Sequence, residues 1–167
     1  HAHPRPPRSV ADLVRALGMA AGHVGVIAGQ VEDLAAEGAP PSAERVETIH
    51  RLKTAALIRA AVLLGGLSAG ADDRRLAALA RYGEAVGLAF QIADDLLNET
   101  ATAEQLGKAV GSDREHDKLT YVRVFGLEAA RRRADRLAAE AEGLLIGFPG
   151  PTDPLRAFAR FAIARKN

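Results

Sequence analysis

The chain has 167 residues, a formal charge of +1 and no cysteine. That length suits one domain with a sizeable core, the near-neutral charge gives no basis for a nucleic-acid partner, and the lack of cysteine excludes disulfides, thiolate metal sites and a cysteine nucleophile. Apolar residues make up 48% but aromatics only 4%, so the core must be built from Ala, Leu, Val and Ile, which together favour helix.

Residues 1–8 are proline-rich and lack the apolar core of a signal peptide. They read as a linker or the remnant of a truncation, with 9–167 as one helical unit. Ser9 is a candidate N-cap, with Asp12 three residues on, for a helix from Val10 to about Ala36. Gly18, Gly22, Gly25 and Gly29 recur at intervals of four, three and four and so share one stripe. Interior glycines cost roughly 1 kcal/mol each relative to Ala, so the stripe implies close approach by another helix or a ligand. The uncharged run 16–31 is interrupted by these glycines, His23 and Gln30, and the run 60–71 is too short to span a bilayer. A soluble, cytoplasmic protein is expected.

Ser42 opens a second helix whose apolar face runs through Val46, Ile49, Leu52, Ala56 and Val62 and which carries His50, Lys53 and Thr54. Asp72 caps a third, continuing through Leu79, Tyr82, Val86 and Phe90 into Gln91-Ile92-Ala93-Asp94-Asp95-Leu96-Leu97-Asn98. From Glu99 to Lys118 the periodicity fails in favour of a polar, glycine-broken stretch, and long loops in compact domains are usually functional. A short helix is expected over 119–125, an amphipathic one over 127–146 with Glu128 and Arg132 at pairing distance, and a last one over 155–164 with Pro154 at its first position. No alternating apolar pattern marks a strand. The predicted fold is all-α.

Gln30, Asp33, His50, Lys53, Thr54, Gln91, Asp94, Asp95 and Asn98 interrupt otherwise apolar helices, and the polar stretch adds Lys108 and Lys118. Asp94 and Asn98 fall on one helix face, with Asp95 beside them and Gln91 one turn back. Carboxylates among apolar neighbours need a partner, and hard oxygen donors of this kind suit magnesium. The alternative is a solvated Asp-Asp on an exposed face. No nucleophile motif and no Walker A sequence occur. Carboxylates for magnesium with separate lysines are what a polyphosphate demands, and the apolar surroundings suit a diphosphate whose other end is apolar.

From about Val10 onward, ordered pieces of the chain resemble the second half of a trans-polyprenyl diphosphate synthase, of the bacterial farnesyl or geranylgeranyl type. These are Gly29-Gln30-Val-Glu-Asp33; Ile49-His50-Arg-Leu-Lys53-Thr54; Gly87-Leu-Ala-Phe90-Gln91-Ile-Ala-Asp94-Asp95; Leu106-Gly107-Lys108; Gly111-Ser-Asp113; and Lys118-Leu-Thr120-Tyr121. The resemblance implies an isoprenoid-synthase-type helical bundle, present as its second-half helices only. It implies a prenyltransferase that uses Mg2+ to hold an allylic diphosphate for head-to-tail condensation with isopentenyl diphosphate. Asp94, Asp95 and Asn98 would form the second aspartate-rich motif at the metal. Lys53, Lys108 and Lys118 would contact the diphosphate, Thr54 and Gln91 would flank the reacting allyl group as catalytic residues, and Gln30 and Asp33 would line the cavity. Arg165 and Lys166 would help close the isopentenyl site.

Departures from the family pattern are Asn98 for the third acid of the motif, Ala55 and Asp117 where Gly is usual, and Val122 in place of Pro. No Asp-Asp-x-x-Asp occurs in the 167 residues, so the expected partners are a complementary N-terminal half or a second synthase chain, in a dimer. A non-catalytic subunit paired with a full-length synthase is the alternative. A terpene cyclase of the same helical class is disfavoured, because its Asn/Asp-Ser/Thr-Glu motif is not found.

Overall fold

A computed structural model describes residues 9–100 and 118–164, and among these all regular structure is helical. Helix α1 (Val10–Ala21) starts where expected: the Ser9 hydroxyl accepts from the Asp12 amide. The single long helix expected from Val10 instead breaks at Gly22–Gly25, and α2 (Val26–Ala35) follows. The glycine stripe divides accordingly. A Cβ at Gly25 would collide with the carbonyl of Ala20, so this glycine serves the break, whereas at Gly18 nothing lies within 4 Å. Only Gly29 meets the expectation of a close neighbour, with the backbone of Lys53 against it. By length and apolarity Val10–Ala35 could cross a membrane. Its Asp33, however, is buried in an ion pair with Lys53, so α2 is a wall of the bundle.

Ser42 caps α3 (Ala43–Ile49) by accepting from the Arg45 amide, and α4 (Ala56–Ser68) continues the same rod. Between them the rod widens into a π-helical turn over His50–Ala55, where the Ala56 amide reaches back to the Arg51 carbonyl. Such widened turns are rare and concentrate at functional sites. Asp72 accepts from the Arg75 amide at the head of α5 (Asp73–Thr100), the central helix. A short α6 (Tyr121–Phe125), capped by Thr120, leads through Gly126 (φ 80°) to α7 (Leu127–Leu144), and α8 (Asp153–Ala164) closes the described part.

Helix α5 is buried from Leu79 to Asp95 on the faces that meet α4, α7 and α8. Tyr82, Val86 and Ile92 from α5 join Val46 and Leu145 as the largest fully buried side chains. The rest of the core is largely alanine, Ala130, Ala134 and Ala141 of α7 among them, which lets helix axes approach closely. Gly83 and Gly87 bring α5 onto the backbone of Arg59 and Ala55. This contact seats α5 against the π-helical turn and aligns their polar residues. Among the described residues one apolar face is left uncovered: Val10, Val14, Leu17, Val24, Ile27, Val31 and Leu34 of the α1–α2 segment are 46–75% exposed.

Candidate functional site

Where α2, the π-helical turn and α5 meet, polar side chains face one another across an otherwise apolar interior. Gly29 lets α2 approach the turn, and Lys53 Nζ lies 2.5 Å from Asp33 Oδ2. Asp33 is buried and the Lys53 side chain is one-third exposed. One residue on, the Thr54 hydroxyl donates to Gln91 Oε1 at 2.6 Å, and Gln91 Nε2 donates to Asp95 Oδ1 at 3.2 Å. The widened turn presents Lys53 and Thr54 toward two different helices, α2 and α5.

Asp95 is 5% exposed, and two further groups converge on its other oxygen. The Tyr121 amide donates to Oδ2 at 2.6 Å, and His50 Nε2 lies 3.2 Å from the same atom. His50 is itself buried, its ring stacks on Tyr121 at 6.0 Å, and its Nδ1 has no hydrogen-bond partner among the described residues. A small crevice lies beside His50, lined also by Glu47, Arg51, Tyr121 and Arg133. Burial pushes the Tyr121 phenol up in pKa, and the neighbouring Arg133 opposes that shift.

The residues singled out in the sequence therefore fall into three groups. Asp33 with Lys53, and Thr54 with Gln91 and Asp95, are brought together. Asp94 and Asn98 stand on α5 one turn apart and partly exposed, while Gln30 is exposed on α2 and Lys118 half-buried three residues before Tyr121. Lys108, Arg165 and Lys166 lie outside the described residues. Asp95 is held from inside the protein, unlike an acid open to a metal. The Tyr121 amide could not have been found in the sequence, because backbone groups leave no pattern there. His50 was visible as a polar interruption, but its place beside Asp95 depends on the π-helical turn.

Asp94 and Asn98 supply hard oxygen donors, the chemistry magnesium requires. Among the described residues no three His, Asp or Glu side chains are grouped closely enough to hold a metal unaided. A carboxylate with an amide suits a magnesium that takes its remaining ligands from phosphate and water.

The fold and the site together define an all-α bundle in which a lysine and a hydroxyl–amide–carboxylate chain join neighbouring helices, with a carboxylate and an amide one turn apart on α5. The family described as Polyprenyl synthetase matches residues 9–142. The chain belongs to that family. It is 42% identical over 164 residues to "Geranylgeranyl pyrophosphate synthase 9, chloroplastic" of Arabidopsis thaliana, an alignment covering 96% of this chain and 44% of that protein. A plant relative named as a heterodimeric geranylgeranyl pyrophosphate synthase large subunit is 38% identical, with 96% and 43% covered. Among solved structures, a geranyltransferase from Helicobacter pylori complexed with magnesium and isoprenyl diphosphate is 29% identical, with a TM-score of 0.75 over 92% of this chain and 50% of that one. An FPP/GFPP synthase from Zymomonas mobilis is 34% identical, with a TM-score of 0.76 and 91% and 50% covered. The chain spans about half the length of the relatives it matches.

Proposed function

We propose that residues 9–167 are the C-terminal part of a prenyl diphosphate synthase, which condenses an allylic diphosphate head-to-tail with isopentenyl diphosphate. The observation that carries this reading is the polar set at the π-helical turn and α5, Lys53 on Asp33 and Thr54 on Gln91, placed between apolar helices. An anionic head and an apolar tail are the ligand such a set suits. Lys53 would exchange Asp33 for diphosphate oxygens as a point charge. Thr54 and Gln91 would stand beside the allyl group, and the aliphatic helices would keep water from a developing carbocation. Asp94, with the Asn98 amide oxygen one turn on, would hold Mg2+. Bound there, the ion would neutralise charge on the departing pyrophosphate. Lys108 and Lys118 would add cationic contacts, Gln30 would line the cavity, and Arg165 and Lys166 would help close the isopentenyl side.

The second acidic group needed for a diphosphate clamp is not among these 167 residues, so it must come from other residues of the assembled enzyme. The exposed apolar face of α1 and α2 supports association with further helices, from a complementary N-terminal half or a second synthase chain, in a dimer. The cysteine-free composition fits a reducing compartment such as the cytoplasm; the plant relatives carry chloroplastic in their names. Co-expression of this chain with a complementary N-terminal half bearing an Asp-Asp-x-x-Asp motif is the direct test. Magnesium-dependent formation of a longer prenyl diphosphate is expected, and its absence from a soluble complex would overturn the reading.

A further inference from the structure

We infer that Asp95 is a positioning residue rather than a magnesium ligand: as a pure acceptor it sets the direction of the hydrogen-bond chain ending at the Thr54 hydroxyl. This rests on the prenyl-transfer reading of the site. Two donors from separate parts of the fold reach its carboxylate, Gln91 Nε2 from α5 and the Tyr121 amide from the head of α6, and His50 Nε2 of the π-helical turn lies 3.2 Å from Oδ2. A magnesium ion would have to reach a carboxylate that is only 5% exposed.

The direction follows from the inventory of donors and acceptors. An ionised carboxylate only accepts. Gln91 must therefore turn its NH2 group to Asp95, which leaves Oε1 facing Thr54, and Thr54 must spend its single hydrogen on that oxygen. On every other side the Thr54 oxygen then offers lone pairs and no hydrogen. Beside a developing allylic cation, lone pairs stabilise and an inward O–H hydrogen does not. With an amide in place of Asp95, the Gln91 amide can turn end for end, and the Thr54 hydrogen is released to point elsewhere. Asp95 thus acts at the reacting centre through two intermediate side chains.

The test uses the assembled synthase and four variants: Asp95→Asn, Gln91→Met, Thr54→Ala and Asp94→Asn. For Asp95→Asn we expect kcat to fall about 10²-fold, the loss typical of an interaction made in the transition state, with the KM for the allylic diphosphate and the magnesium midpoint unchanged. Asp94→Asn should instead shift the magnesium midpoint upward. Combined with Thr54→Ala, Asp95→Asn should add almost nothing, because coupled groups fail additivity. Gln91→Met, which leaves Asp95 with the Tyr121 amide and His50 beside it, should show the same kcat loss and the same non-additivity, so the inference stays testable if Asp95→Asn does not fold. A magnesium shift in Asp95→Asn equal to that of Asp94→Asn would overturn the inference, as would full additivity of Asp95→Asn or Gln91→Met with Thr54→Ala. An inactive wild-type assembly would instead overturn the prenyl-transfer reading itself, and the inference with it.

Discussion

Lys53 Nζ and Asp33 Oδ2 stand 2.5 Å apart, and the pair ties α2 to the π-helical turn. The partners are 20 residues apart in the chain, and Gly29 makes their approach possible by letting the two backbones touch. The pair neutralises both charges where α2 meets the turn.

Asp33→Ala removes the partner and leaves the part-buried ammonium uncompensated. We expect a loss of about 1–3 kcal/mol in the stability of the assembled protein. Chemical denaturation compares the variant with wild type; an unchanged midpoint would show that the pair holds nothing together.

The glycines of the first stripe separate sharply. A methyl group at Gly29 would occupy the backbone of Lys53, whereas at Gly18 it meets nothing within 4 Å. Gly29→Ala should therefore destabilise by at least about 3 kcal/mol, or prevent folding, since backbone cannot yield as a side chain can. Gly18→Ala, inside α1, should stabilise by roughly 0.5–1 kcal/mol. Melting temperatures moving in the same direction for both would contradict the packing.

This contrast also marks how much could be read from the sequence. The caps at Ser9, Ser42 and Asp72 follow local chemistry, and all three form as expected. So does the Glu128–Arg132 pair at 4.0 Å. Periodicity likewise gave the extent of α5 and α7. The break between α1 and α2 was missed because spacing places glycines on a stripe without saying which of them bends the helix. The π-helical turn was missed because one wider turn barely disturbs an apolar repeat. With it went the roles of His50 and the Tyr121 amide at Asp95, which arise only from long-range packing. Gln91 and Thr54 could be named as site residues, but not that one donates to the other.

Tyr82 gives a pH signature. Its hydroxyl donates to the Leu155 carbonyl at 2.7 Å, and burial pushes its pKa up to about 12. In the unfolded chain the phenol ionises near 10. Between those values the unfolded state gives up a proton that the native state keeps, so stability falls as pH rises; below about pH 10 the contribution is fully present. Tyr82→Phe should lose about 1 kcal/mol at neutral pH, because the Leu155 carbonyl loses its donor. It should also show a shallower alkaline decline than wild type. Denaturation midpoints from pH 7 to about pH 12 check both; parallel curves would contradict the buried donor.

Asp94 carries the sharpest functional prediction. It stands between buried Ala93 and buried Asp95 yet is itself partly exposed, so of the two adjacent carboxylates it is the one that reaches the edge of the helix packing. Asn98, one turn on, can lend an oxygen but no charge. In an assembled synthase, Asp94→Ala should lower kcat by more than about 10²-fold through lost transition-state charge stabilisation. Raising magnesium should restore part of that loss. Asn98→Asp, which places a second carboxylate beside Asp94, should lower the magnesium concentration needed for half-maximal rate. Initial rates of condensation over a magnesium titration read both effects. If Asp94→Ala left the rate of the assembly untouched, this chain would be a non-catalytic partner and the metal-bearing carboxylates would lie wholly elsewhere.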